Sequence, residues 1–415
     1  MTGVLSRYPE PGEDPTHSAR EDRGLRTLAT ALGSSRNSLN ALRLVFAAAV
    51  IVSHAWVLGG YGPEPALYGI KLGGASVMGF FAISGYLITL SAQRSRTVRD
   101  FVLARLTRIY PALFISALVV GFIAAPIGGM ITRGHYSLEG SLLFVGFAVT
   151  LLIGVIGAPL IGTTLLGNPD SGNWNGPLWT LTWEVLCYVM VALVVFSLRH
   201  ARGGGRYQRI ATVFLFIVAT GGTAAKILAG GFENDPREFA LPLAATFLAG
   251  SILAQYRDHV PVGPVPALLA AGATWASVAS QVANALAPLP LAYLVLQLGA
   301  FRLVARVGSR YDISYGVYIY GWPAQQLLAA AHVPGFVPPL AYAAMALAVV
   351  WPLAFLSCVC VEQPAQRWRR AWSQRGSGTA RAAEAHQLAG LGHGDLAQSE
   401  SNSGALDKQA QRSAG

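Results

Sequence analysis

Residues 40–54 read NALRLVFAAAVIVSH, an apolar run with Arg43 near its start and His54 at its end. The run continues to about residue 58, and about 20 mostly apolar residues predict a helix that spans a membrane. Because Arg43 and His54 are about three helical turns apart, their side chains lie on one face, roughly 16 Å apart along the axis. Ionisable side chains inside a membrane helix usually face protein or water, and they often mark a functional site.

Each of these two residues also has a purely structural explanation. Arg43 can be an anchor whose guanidinium reaches the polar interface of the membrane. His54 can be a hydrogen-bonded histidine near the opposite interface. Their position on a single stripe of the helix favours a joint functional role over two separate structural ones.

The composition of the whole chain agrees with the membrane interpretation of this helix. Of its 415 residues, 53% are hydrophobic and 12% are charged, whereas soluble domains carry about a quarter charged residues. A net charge of +10 is compatible with nucleic-acid binding. However, the positive residues occur in short clusters between apolar runs, which is typical of topology signals. We therefore expect contact with a lipid bilayer and no nucleic-acid partner.

Ten apolar runs predict ten spanning helices. They cover about residues 40–58, 73–91, 109–125, 176–198, 209–229, 240–255, 264–280, 284–304, 312–330 and 339–360. An eleventh run, 139–166, is interrupted in its second half by Gly154, Gly157, Pro159 and Gly162, which predicts a re-entrant or broken helix. Arginines are concentrated in alternate loops, so the positive-inside rule assigns both termini to the cytoplasm.

These observations predict an all-α fold, a polytopic transmembrane helix bundle. The predicted domain organisation is a disordered polar segment at 1–36, a transmembrane domain at 37–370 and a disordered cytoplasmic tail at 371–415. The three cysteines, Cys187, Cys358 and Cys360, lie in apolar stretches and indicate neither a disulfide framework nor a metal site.

Polar side chains recur within or beside the predicted helices. Ser84 and Gly85 are small residues that suit either close helix packing or contact with a ligand. Arg105 and Arg108, in the predicted loop after the second helix, lie on one helical face and suit either a phosphate group or topology signalling.

Two acids complete this set of polar residues. Glu184 lies about a turn and a half inside the predicted helix 176–198, where a carboxylate usually faces a partner. By its depth, Glu184 falls in the same half of the membrane as His54, so we predict that the two side chains meet. Glu362 is predicted at the cytoplasmic surface, near arginines.

Taken together, these motifs resemble the acyltransferase-3 family of membrane enzymes, which acylate bacterial surface polysaccharides, lipopolysaccharide, nodulation factors and macrolide sugars. The resemblance spans about residues 38–370. Its motifs, in family order, are Arg43 with His54, Phe80-Phe81-Ala-Ile-Ser84-Gly85-Tyr86, Arg105-x-x-Arg108-Ile-x-Pro111, Trp179-x-Leu-x-x-Glu184-x-x-x-Tyr188, Ser314-Tyr315-Gly-Val-Tyr318 and Glu362-x-Pro364. Two positions depart from the family pattern: Asn40 replaces the usual Asp, and Gly321 replaces a frequent His.

The resemblance implies a bacterial inner-membrane enzyme that takes acyl-CoA, most simply acetyl-CoA, from the cytoplasm. The acceptor would be a hydroxyl of a saccharide or glycolipid at the outer face, and no metal would be needed. His54 would be the general base, supported by Glu184. Arg43, Arg105 and Arg108 would bind the donor phosphates. The implied substrate contacts are Ser84, Tyr86, Trp179, Tyr315 and Tyr318.

Two alternatives are open at this point. Intramembrane Arg, His and Glu residues also suit a transporter or flippase for a glycolipid or a small solute, although the chain lacks the repeated halves that many transporters show. An acyltransferase can also work in two steps, with the acyl group passing first to His54 and then to the acceptor. The acceptor, the acyl chain length and the oligomeric state have no signature in the sequence.

Overall fold

The computed structural model describes residues 26–34, 37–232, 236–280 and 282–372. These residues form a helix bundle with one small hairpin, Ala66–Leu67 paired antiparallel with Ile70–Lys71. The helices are α1 Leu28–Leu32, α2 Leu39–Leu58, α3 Leu72–Arg94, α4 Val98–Thr132, α5 Leu138–Val149, α6 Gly176–Leu198, α7 Gly204–Leu228, α8 Ala240–Gln255, α9 Pro264–Ala279, α10 Ala283–Leu286, α11 Pro288–Ala300, α12 Ser314–Ala330 and α13 Pro339–Trp372.

Seven helical segments of the described chain are long and apolar enough to cross a membrane: α2, α3, α4, α6, α7, α13, and α8 together with the 3₁₀ turn that precedes it (Arg237–Gln255, 19 residues). The chain is therefore a multi-pass membrane protein with an all-helical bundle, as the sequence predicts. Each of the ten predicted runs contains a helix. However, α9, α11 and α12 have only 16, 13 and 17 residues, fewer than the ~20 of a typical span.

The start of α4 differs from the prediction. The sequence places Arg105 and Arg108 in a loop, whereas α4 begins at Val98 and includes both residues. The cause is an N-cap, because the Thr97 side chain accepts a hydrogen bond from the Asp100 backbone N–H at 3.1 Å. This cap starts the helix about three turns before the apolar run.

The apolar run 139–166 is a broken helix, as predicted. Helix α5 ends at Val149, and a short 3₁₀ turn at Leu152–Gly154 follows it. One face of α5 packs on α4 through Ser141 and Phe144, whereas Leu142 and Leu143 are exposed. At 12 residues, α5 extends only about 18 Å, too short to cross a bilayer.

The predicted disorder of residues 1–36 is wrong for residues 26–34. Helix α1 is buried, with Leu28 and Ala31 fully inaccessible. The chain before and within α1 hydrogen-bonds to the segment after α8, through Leu28 N–H to Val260 O at 2.9 Å and Val262 N–H to Arg26 O at 2.6 Å. Residues 1–25 and nearly all of the predicted tail lie outside the described residues.

Helix α3 lies at the centre of the bundle and packs against α2, α6, α8 and α11. Its crossing with α8 is close because glycines face backbone on both sides. A Cβ added to Gly85 would overlap the Phe247 carbonyl, and one added to Gly250 would overlap the Ala82 carbonyl. The packing role suggested for Gly85 is thereby confirmed. This close crossing positions α3, and with it Ser84, against α6.

Candidate functional site

The C-terminal end of α2 holds His54 against an acid that was not predicted from the sequence. His54 Nδ1 lies 3.6 Å from Oε1 of Glu64, a residue of the connection between α2 and α3. The neighbouring Ser53 hydroxyl donates to the other carboxylate oxygen of Glu64 at 2.6 Å and accepts from the Gly73 backbone N–H at 2.9 Å. Both ionisable side chains are largely buried, with 20% and 11% of the His54 and Glu64 side chains exposed.

The surroundings of Glu64 keep its carboxylate ionised. Burial alone would raise the pKa of Glu64, but the interactions with His54, Ser53 and Lys71 outweigh burial and lower the pKa to about 2. The Lys71 ammonium lies 3.8 Å from Glu64 Oε1. Glu64 therefore carries a full negative charge beside the imidazole throughout the physiological pH range.

This low pKa predicts a pH-dependent contribution to stability. A carboxyl group whose pKa is lower in the folded state than in the unfolded chain stabilises the fold at pH values above the unfolded pKa. This contribution is lost as the pH falls from 4.5 towards about 2. We expect the difference in melting temperature between the detergent-solubilised wild type and Glu64→Gln to be constant above about pH 5 and to shrink below it. Glu139→Gln, at an exposed position, is the control, and a difference that stays constant down to pH 2 would contradict the assignment.

The indole of Trp322, on α12, forms a wall beside His54. The two rings meet edge to face, with centroids 4.8 Å apart. Trp322 Nε1 donates to the Asn173 carbonyl at 2.8 Å. A Cβ added to Gly176 would lie 2.9 Å from the indole ring, so the start of α6 packs directly on Trp322. Because hydrogen bonding and packing hold the indole, it limits where the imidazole can move.

Gly321, which replaces the histidine of the family pattern, lets α12 approach α2. A Cβ added to Gly321 would lie 2.7 Å from Ile51 Cγ1. Ile51 is one turn before His54 on α2 and is almost completely buried. A side chain at position 321 would therefore have to displace Ile51, and the departure has a packing explanation.

Glu184 lies elsewhere in the bundle, and the predicted contact with His54 does not form. Its Oε1 accepts hydrogen bonds from the Ser84 hydroxyl at 2.7 Å and the Tyr188 hydroxyl at 2.6 Å. The physical reason is that α6 packs on α3 rather than on α2, so Glu184 faces Ser84. The acid beside His54 is Glu64, and a catalytic role for Glu184 stays a prediction.

Two of the three predicted arginines share one carboxylate. Arg43 Nη1 lies 2.6 Å and Arg108 Nη2 lies 2.7 Å from Asp312 Oδ2. Arg108 Nη1 also lies 3.2 Å from Glu362 Oε2. Glu362 is 1% exposed, so its predicted exposure at the surface is wrong, whereas its predicted position near arginines is confirmed. A π-helical turn, Cys358–Glu362, packs against α4 and places this acid next to Arg108.

Position 40 is Asn, and the carboxylate that pairs with Arg43 is that of Asp312. Burial would raise its pKa, but Arg43, Arg108 and Ser314 hold the pKa of Asp312 well below its usual range. The Asn40 side-chain amide donates to the Gly308 carbonyl at 3.0 Å. Asn40 therefore binds the loop before α12, and this loop brings Asp312 to Arg43.

Arg105 differs from the other two arginines because, among the residues that the structure describes, no carboxylate forms an ion pair with it. Its Nη2 donates to the Ser91 hydroxyl at a long 3.5 Å, and its Nε is buried without a hydrogen-bond partner. A buried guanidinium N–H without a partner is costly, which makes Arg105 the predicted arginine best prepared to receive an anionic ligand.

The remaining predicted substrate contacts pack within the bundle. Tyr315 donates to the Ile109 carbonyl at 3.1 Å, and Tyr318 lies 2.6 Å from the Thr180 hydroxyl. Tyr86 is buried against α1, α8 and α11, and Trp179 is partly buried against the core. The structure brings none of these side chains to His54, and their role in substrate binding stays a prediction.

Glu64 and Asp312 were not predicted from the sequence. Both lie in connections between helices, where an acid ordinarily faces solvent. The available signal for Asp312 was its position two residues before the Ser314-Tyr315 motif, and Glu64 carried no comparable signal. Their importance follows from the tertiary contacts with His54, Arg43 and Arg108.

Comparison with known proteins identifies the family. A family model described as an acyltransferase domain matches residues 36–361, which is most of the chain. The chain belongs to the acyltransferase-3 family. The resemblance seen in the motifs is thus confirmed, and this acyltransferase-3 protein is an acyltransferase enzyme.

Two curated proteins resemble this acyltransferase-3 chain over most of their length. It is 29% identical over 325 residues to a protein named O-acetyl transferase from Shigella phage Sf6, covering 74% of this chain and 90% of the phage protein. It is 27% identical over 364 residues to Nodulation protein 10 of Rhizobium leguminosarum bv. viciae, covering 80% and 94% of the two chains. No solved structure matches the chain.

Proposed function

We propose that this acyltransferase-3 protein is an O-acyltransferase of a bacterial inner membrane. It moves an acetyl group from acetyl-CoA to a hydroxyl of a saccharide or glycolipid. The observation that carries the proposal is the arrangement of ionisable side chains along α2. Arg43 lies in a cluster of arginines at one end of this helix, and His54 lies beside a carboxylate at the other end. The likeness to a phage O-acetyl transferase supports an acetyl donor.

The orientation of the bundle follows from its arginines. With ten spans, including the shorter α9, α11 and α12, the arginine-rich loops and both termini lie in the cytoplasm. The cluster at Arg43, Arg105 and Arg108 then faces the compartment that supplies acyl-CoA. The polyanionic end of CoA binds at this cluster, with Arg105 as its first contact. The pantetheine arm runs along α2 for about 16 Å towards His54.

The chemistry is proposed to take place at His54. Neutral imidazole accepts the proton of the acceptor hydroxyl while the hydroxyl oxygen attacks the thioester carbonyl. A new C–O bond forms, and the tetrahedral intermediate expels the CoA thiolate as the C–S bond breaks. The imidazolium then returns its proton to the sulfur, so the histidine ends each cycle neutral.

A label-transfer assay tests this function. Purified protein in liposomes is incubated with acetyl-CoA radiolabelled in the acetyl group and a saccharide or glycolipid extract. We expect base-labile label in the acceptor fraction. Absence of both label transfer and acetyl-CoA binding would refute the proposal. Movement of unmodified glycolipid across the liposome would support the flippase, and label retained on His54 without acceptor would support the two-step route.

The Arg105 contact makes a separate prediction. We expect Arg105→Ala to raise the KM for acetyl-CoA about tenfold, since a hydrogen bond to a charged group contributes about 1.5 kcal/mol or more. The salt dependence of donor binding should also become less steep, because a phosphate contact is screened by salt. The control is Arg94→Ala, an exposed arginine at the end of α3. Equal KM values in wild type and Arg105→Ala would exclude the phosphate role.

A further inference from the structure

Glu64 is held in place by contacts from both helices that flank its loop. Ser53, on α2, donates to its Oε2 at 2.6 Å, and Lys71, directly before α3, lies 3.8 Å from its Oε1. A Cβ at Gly73 would lie 3.2 Å from the Ser53 hydroxyl and 3.4 Å from Glu64 Oε2. The start of α3 therefore closes tightly on the carboxylate, and the loop gives it one defined position.

The two carboxylate oxygens have different neighbours. Oε2 accepts a hydrogen bond from Ser53, whereas Oε1 faces His54 Nδ1 at 3.6 Å and Lys71 Nζ at 3.8 Å. The distance to the imidazole is longer than a hydrogen bond. Catalytic hydrogen bonds are often long in a protein without its substrate and shorten when the substrate binds. The Trp322 indole also contacts the imidazole edge to face, with ring centroids 4.8 Å apart, and this contact restricts rotation of the ring.

An acid at Nδ1 determines which nitrogen of the ring can act as a base. A carboxylate favours the tautomer with the proton on Nδ1, because only an N–H can donate to it. Nε2 then carries the free lone pair. When Nε2 takes a proton, the nearby negative charge stabilises the imidazolium.

We propose that Glu64 is a positioning residue that keeps His54 protonated on Nδ1 and presents Nε2 to the acceptor hydroxyl. The proposal deepens, and rests on, the acetyl-transfer function. In the reaction the proton passes from the acceptor oxygen to Nε2 and then to the CoA sulfur, while Glu64 stays ionised throughout. Its pKa of about 2 agrees with this constant charge. The other charged groups that act on the pair are Lys71 and Asp170.

Kinetics of the full-length protein in liposomes test the proposal. We expect Glu64→Gln to lower kcat about 100-fold, at the lower end of what a general base contributes, with the KM for acetyl-CoA unchanged. Glu64→Asp should recover part of the rate, because it restores the charge. Sodium formate should accelerate Glu64→Ala, because a free carboxylate can occupy the vacated position. Glu139→Gln is the control, and its rate should equal that of the wild type.

A spectroscopic measurement separates this proposal from the function on which it rests. In protein labelled with ¹⁵N-histidine, the His54 signals, assigned by their loss in His54→Gln, should show the Nδ1–H tautomer in wild type and a shift towards Nε2–H in Glu64→Gln. An active wild type with an unchanged kcat in Glu64→Gln would overturn the positioning role. So would the Nε2–H tautomer in wild type, whether or not acetyl transfer is found. An inactive wild type with the Nδ1–H tautomer would overturn the function alone.

Discussion

Replacing His54 by Ala should lower the rate of acetyl transfer by about 10³-fold, within the range that general-base catalysis supplies. The KM for acetyl-CoA should change little, because the donor phosphates bind at the opposite end of α2, about 16 Å away. A loss confined to kcat indicates an interaction that acts in the transition state. The measurement is label transfer from acetyl-CoA at saturating donor, with binding measured separately on the same preparation.

The matched control for this prediction is His135→Ala. His135 is an exposed histidine in the loop between α4 and α5, and the hydrogen bonds that it forms there use its backbone. Its replacement should leave both kcat and KM unchanged. Equal rates for His54→Ala and the wild type would show that His54 has no role in the reaction. A rise in KM alone would make it a binding residue.

Replacing Gly85 by Val should prevent the close crossing of α3 and α8. The added Cβ would overlap the Phe247 carbonyl, and because this atom belongs to the backbone it cannot rotate away. Overpacking a core usually costs about 1–3 kcal/mol through side-chain rearrangement. A backbone clash in the central helix should cost about 3 kcal/mol or more. We expect poor insertion or a melting temperature many degrees lower in detergent, with acetyl transfer lost as a consequence.

Gly74, on the same helix α3, provides the control. It is exposed, and a Cβ added there meets no atom within 4 Å. We expect Gly74→Val to retain a melting temperature near that of the wild type. A similar result for Gly85→Val would contradict the close approach of the α3 and α8 backbones at Gly85. Gly250→Val should repeat the Gly85 result from the other side of the crossing.

The positions of the helices were predictable because a membrane imposes a simple rule. A spanning helix must present apolar side chains for about 20 residues, and this pattern is local. The run that contains Arg43 and His54 is predicted at 40–58 and observed at Leu39–Leu58. The predicted helix boundaries are wrong where a polar cap extends a helix beyond its apolar run, as Thr97 does for α4. Helix α1 was not predicted at all, because it is too short to show a periodic pattern.

The site was predictable only in part. Arg43 and His54 share one face of one helix, and helix geometry alone relates them. The partners of these residues come from other parts of the chain, and no local pattern relates them. Depth in the membrane suggested that Glu184 meets His54, but depth does not specify which helices are neighbours. Because α6 packs on α3, Glu184 bonds to Ser84 instead.

The amino-acid sequence by itself determined the membrane class, the approximate helices, the Arg43–His54 stripe and the family, because each depends on local composition or on motifs in order. Only the tertiary structure decided which acid pairs with His54 and which acid pairs with Arg43. Glu64 contacts His54 and Asp312 contacts Arg43 from the connections between helices. Such pairings follow from how helices pack, since each carboxylate must find a partner within about 4 Å once it is removed from water.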